Sequence, residues 1–171
     1  MIKHLVLTVT GPDLPGMEQE LTRIVSRHQA RWVASRMAHM AGRFASILFV
    51  SVATDVLETL TAALQRLESD GITVRIDKVD ASMVPPKERH LLLNLIADDA
   101  PELVTDISRL LAEQHIRISE LHTDTLPAPD TGVSLQSMQA HLRAPAGVDI
   151  ETVRSRLEAL SPELMLDISL E

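Results

Sequence analysis

The sequence has no cysteine and no tyrosine among its 171 residues, and Trp32, Phe44 and Phe49 are its only aromatics. Without thiols there can be no disulfide, zinc–thiolate site, iron–sulfur cluster or cysteine nucleophile. Few aromatics leave the core to Leu, Ile, Val, Met and Ala. Positive charge is also short, 16 Lys and Arg against 24 Asp and Glu, for a net charge of −8. Nucleic-acid binders cluster their cations to neutralise phosphates. Here the densest group, Arg23, Arg27, Arg31 and Arg36, is interrupted by apolar and neutral residues, so no direct nucleic-acid contact is expected. No apolar run approaches the ~20 residues of a membrane span. The first residues alternate and form no continuous apolar block, so no signal peptide is expected and the chain is read as soluble and cytoplasmic.

The chain repeats itself. Shifted by 86 positions, Leu5, Leu7 and Val9 fall on Leu91, Leu93 and Leu95, and Asp13 and Pro15 fall on Asp99 and Pro101. Leu21, Ile24 and Val25 fall on Ile107, Leu110 and Leu111. Farther on the shift grows by about five, assigned to a longer loop at residues 127–132. Leu60, Leu64 and Leu67 then match Val153, Leu157 and Leu160.

Each copy reads strand, helix, strand, strand, helix, strand. Period-two alternation at Leu5, Leu7 and Val9 marks a strand with one buried face. Gly11-Pro12-Asp13-Leu14-Pro15-Gly16 reads as a compact breaker, followed by Met17, Leu21, Ile24, Val25 and His28 at helical spacing. Residues 32–40 and 43–53 read as strands about a turn at Ala41-Gly42, and 55–69 as one helix closed by Gly71 in a left-handed cap. Residues 72–80 complete the unit. This order predicts an α+β protein: two ferredoxin-like βαββαβ domains in tandem, each with helices on one face of an antiparallel sheet. The domains are placed at 1–80 and 88–171, with a proline-containing linker at 81–87.

The first turn draws the functional reading. Its glycines permit sharp bending and close backbone approach, and amides at a helix start favour an anion. A free amino acid suits such a place, its ammonium met by Asp13 or by carbonyls. The residues alone allow a plainer reading in which Asp13 caps the turn and the glycines serve geometry.

A strand, a Gly-Pro-Asp-x-Pro-Gly turn and an amphipathic helix together resemble the ACT domain of amino-acid-regulated proteins. The stretch from Ala34 to Ala45 is similar to the second and third strands of the glycine cleavage system transcriptional repressor family and its tandem-ACT relatives. The resemblance extends over essentially the whole chain and implies a non-enzymatic regulator with no cofactor. It implies a small amino acid, glycine or similar, as effector, and a protein partner such as a transcription activator. A homodimer is compatible with it. Carried over, the ligand-binding positions are Gly11, Asp13, Leu14, Pro15 and Gly16, with Ser35 and Met37 facing a neighbouring domain's loop. The second copy, Ala97-Asp98-Asp99-Ala100-Pro101-Glu102, lacks both glycines and is expected to be degenerate. Two other readings remain: a regulatory subunit of an amino-acid biosynthetic enzyme, and an interaction module that needs no ligand.

The remaining candidates are weaker. None of the seven histidines forms a His-x-His or HExxH arrangement; His39, in the family-like second strand, is the one singled out. No serine sits in a Gly-x-Ser-x-Gly elbow, and no P-loop or dinucleotide glycine pattern occurs. No catalytic or metal residue is assigned.

Overall fold

In a computed structural model, which describes residues 1–80, 88–127, 134–161 and 164–170, the chain forms two compact units, Met1–Val84 and Pro85–Glu171. The proposed linker at 81–87, and most of the long loop, lie outside the described residues.

The first unit contains β1 (Ile2–Pro12), α1 (Met17–Arg27), β2 (Arg31–Met40), β3 (Arg43–Ala53), α2 (Leu57–Gln65) and β4 (Thr73–Val79). Its sheet has the order β2-β3-β1-β4, antiparallel throughout. The second unit repeats this with β5 (Glu88–Asp98), α3 (Leu103–Glu113), β6 (Arg117–Pro127), β7 (Ser134–Pro145), α4 (Ile150–Glu158) and β8 (Met165–Leu170), in the order β6-β7-β5-β8. Both are ferredoxin-like.

The alternation read in the sequence becomes the core. Leu5, Leu7 and Val9 of β1, with Phe44, Leu48 and Val50 of β3, face Leu21, Ile24, Val25, Leu60 and Leu64 of the two helices. Leu91, Leu93, Leu95, Ile107, Leu111 and Leu157 repeat that core in the second unit.

The repetition reaches local irregularities. β2 breaks register between Trp32 and Ala34, and β6 does so between Ile118 and Glu120. Both first helices end on a left-handed non-glycine residue, Gln29 (φ 53°) and His115 (φ 56°). In each, the next amide reaches back into the helix, Ala30 to Val25 at 3.1 Å and Ile116 to Leu111 at 2.9 Å, closing orphan carbonyls.

Three details differ from the sequence reading. Gly11 and Pro12 belong to β1, opposite Phe44 and Arg43. The breaker therefore shortens to residues 13–16. Second, the 55–69 segment is α-helical only from Leu57 to Gln65 and tightens into 3₁₀ turns at Thr54–Val56 and Arg66–Asp70. Gly71 closes it in the left-handed conformation, as expected. Third, two residues separate Met40 from its partner Arg43, whereas eight separate Leu126 from Leu135, so the second copy is longer here by six residues rather than about five.

Among the described residues no helix is long and apolar enough to cross a membrane.

Candidate functional site

The turn between β1 and α1 is held at both ends. The Asp13 amide donates to the Gly42 carbonyl at 3.0 Å, extending the β1–β3 ladder by one rung, and the Met17 amide donates to Leu14 O at 3.3 Å. Between them Gly16 adopts φ 88°, ψ 6°, and the helix starts with no side-chain cap. The Glu20 amide makes the first helical bond, to Gly16 O at 3.0 Å. First-turn amides, here those of Glu18 and Gln19, have no intrahelical acceptor and lie at the positive end of the helix dipole.

The two glycines do different jobs. Gly11 is buried, and a Cβ there would lie 3.1 Å from Ile72 Cγ1. It lets β1 pass close under the residue after Gly71. Gly16 is exposed, and a Cβ added to it would meet nothing within 4 Å, so only its left-handed backbone requires glycine.

His39 joins the turn to the sheet. Its Nδ1 lies 2.9 Å from Asp13 Oδ1 and its Nε2 lies 3.1 Å from Glu18 Oε1. The ring leans on Phe44 with centroids 5.2 Å apart. A neutral imidazole has one donor, while a protonated one can serve both carboxylates. The hydrogen bond to Asp13 accordingly raises the His39 pKa above its ordinary value, against a smaller opposing effect of desolvation. Asp13, Glu18 and His39 come from a turn, a helix and an edge strand, and all three side chains remain substantially exposed.

Leu14, 43% exposed, and exposed Pro15 follow Asp13 on the turn. Ser35 and Met37 share a strand face with His39, being opposite Leu48, Ser46 and Phe44 in turn. At about 3.3 Å per residue, Met37 stands about 7 Å and Ser35 about 13 Å along β2 from His39. Within the unit, His39 meets the turn and Ser35 and Met37 do not. Its position in the second strand was visible in the sequence. Its distant partners, Asp13 and Glu18, were not.

The second copy keeps the turn's hydrogen bonds: Asp99 to Ser134 O, Leu103 to Ala100 O and Asp106 to Glu102 O. Its backbone differs at the decisive residue, for Glu102 is right-handed (φ −82°, ψ −18°). The repeat also places Val104 at Glu18 and Thr125 at His39. The bridging imidazole is therefore peculiar to the first copy.

Residues 3–77 match the ACT domain model. The chain is 27% identical over 163 residues to the glycine cleavage system transcriptional repressor of Escherichia coli (strain K12), a match covering 94% of this chain and 85% of the relative. A crystal structure of an unknown protein from Galdieria sulphuraria superposes with TM-score 0.83 at 28% identity, covering 100% of this chain and 99% of the other. A crystal structure of a proposed glycine cleavage system transcriptional repressor superposes with TM-score 0.73 at 17% identity, again over 100% and 99%, and so supports the fold. Residues 3–77 are matched by the ACT domain model, the second unit repeats their fold, and the chain as a whole resembles the tandem-ACT glycine cleavage system transcriptional repressor family.

Proposed function

We propose that this chain is a non-enzymatic, cytoplasmic regulator whose first unit binds a small amino acid, glycine or a near relative, at the 13–18 turn. The observation that carries this reading is the uncapped, left-handed opening of α1 at Gly16 beside the carboxylate of Asp13. A ligand carboxylate would accept hydrogen bonds from the Glu18 and Gln19 amides, and its ammonium would pair with Asp13. Close approach of the ligand is possible because Gly16 carries no side chain to fill it.

His39 gives the binding a consequence. A ligand ammonium competes with the imidazolium for Asp13, so binding loosens the tie between the turn and β2. A ligand can shift a conformational equilibrium only by its differential affinity for the two states, and roughly 1–3 kcal/mol is typical of such coupling. The output is proposed to be affinity for a protein partner such as a transcription activator. Direct DNA contact is disfavoured by the net charge of −8. The relative's name supports glycine as the first effector to try.

Calorimetry with glycine, serine and the branched-chain amino acids tests the proposal, with Gly16→Glu as control. Saturable heat that the variant loses while its melting curve stays cooperative supports it. Saturating additions without heat, or heat unaffected by the substitution, oppose it.

A further inference from the structure

On the helical layer of the first unit, α1 and α2 border a groove of about 510 Å³. Buried Ile24 and Leu67 and half-buried Ala63 give it an apolar lining. Arg23, Arg27 and Arg66 line it too, against the carboxylates of Glu20 and Asp70. One carboxylate is already committed, since the Arg23 guanidinium makes a two-pronged contact with Glu20. Neither Arg27 nor Arg66 has a carboxylate within ion-pair distance among the described residues. Glu20 feels Arg27 only as a weaker field, the last of the effects on its pKa.

The second unit supplies an internal comparison. Its corresponding depression, about 320 Å³, is lined by Asp106, Arg109, Leu110, Glu113, Arg156 and Leu160. There Arg156 donates to Glu113 Oε2 at 2.7 Å, tying α4 to α3, and Arg109 is paired with Asp106. The shared core positions, Ile24 with Leu110 and Leu64 with Leu157, put Glu113 at the place of Arg27 and Arg156 at the place of Ala63. One copy thus spans its helices with a matched ion pair. The other keeps a cation on one side and a methyl group on the other.

We infer that the α1–α2 groove of the first unit binds a small organic anion, its phosphate or carboxylate held by Arg27 and Arg66 and its apolar part resting on Ile24, Ala63 and Leu67. Guanidinium groups bind both kinds of oxyanion in a forked geometry. The volume falls in the ordinary range of small-molecule sites, about 300–1,000 Å³. Arg27 lies in the last turn of α1 and Arg66 directly follows α2, where a cation also complements the helix dipole. That role alone leaves no reason for an added anion to bind.

The test is an amide NMR titration of the full chain with inorganic phosphate and, separately, succinate, sodium chloride holding ionic strength constant. The site predicts saturable shifts at residues 23–28 and 62–70 and none at 13–19, and the tighter probe names the preferred oxyanion. Arg27→Glu combined with Ala63→Arg installs the second unit's ion pair and should abolish those shifts while melting stays cooperative. Arg66→Gln should weaken binding roughly tenfold or more, the loss expected for one charge-assisted contact. Linear, unsaturable shifts with both probes, or saturable shifts that survive in both variants, overturn the inference. Because these probes are not amino acids and the residues read out are not those of the turn, the outcome is independent of the amino-acid proposal.

Discussion

Replacing Gly16 with alanine isolates the backbone conformation on which the turn depends. An added Cβ meets nothing within 4 Å, so no steric cost enters. What remains is the left-handed backbone at φ 88°, worth about 1–2 kcal/mol to a residue with a side chain. The smaller unfolded-state entropy of alanine returns about 0.4–1 kcal/mol. The net expectation is a loss of about 1 kcal/mol, or about 4–8 °C for a unit of this size that melts on its own. Two other glycines calibrate the measurement. Gly147→Ala has open space and no left-handed backbone, and should leave stability unchanged or raise it slightly. Gly11→Ala puts a Cβ 3.1 Å from Ile72 Cγ1 and should cost about 1–3 kcal/mol through overpacking. Urea unfolding of the three variants gives the ranking. A Gly16→Ala protein as stable as the native one, or a Gly147→Ala protein destabilised equally, would show that the left-handed backbone at Gly16 does not demand glycine.

Elsewhere in the first unit, the His39 imidazole should titrate above its ordinary value by NMR, and Asp13→Asn should lower the midpoint, because the Asp13 hydrogen bond is the main cause of the shift. A raised folded pKa means that the bridge's contribution is full below the unfolded value near 6.5 and disappears as pH climbs through the folded one; amino-acid affinity measured by calorimetry should strengthen over that same rise, as Asp13 is released. Ala41 sits at φ 48° in the β2–β3 turn, so Ala41→Asn should stabilise by up to about 1 kcal/mol in urea, asparagine being better suited to such turns. Ser46 is buried and its hydroxyl has no partner among the described residues, so Ser46→Ala should be neutral or slightly stabilising, whereas Leu48→Ala, two residues along the same strand and fully buried, should cost about 2–5 kcal/mol.

The repeat and the fold were legible because they rest on local periodicity. Leu5, Leu7 and Val9 announce a half-buried strand, Leu91, Leu93 and Leu95 announce it again, and Gly71 marks a helix end without help from distant residues. Gly11 and Pro12 misled because a Gly-Pro pair usually breaks a strand. Here β1 pairs with β4 only as far as Thr10, while pairing with β3 continues to Pro12. A proline at the last rung, with one flank already free, gives up little. The second helix looked uniform because Val56, Leu60, Leu64 and Leu67 keep one apolar stripe, which a 3₁₀ turn at either end barely displaces. His39 with Asp13 and Glu18 was beyond local reasoning. The contact exists only because the Ala41-Gly42 hairpin folds β2 back along β3, bringing His39 opposite Phe44 at the level of the first turn.

The most direct test of the central claim is an amide NMR map of the full chain titrated with glycine. Saturable shifts are expected at the Glu18 and Gln19 amides and at the His39 ring, with residues 99–104 of the second copy unmoved. Shifts confined to residues away from the 13–18 turn, or no saturable shift at all, would contradict it.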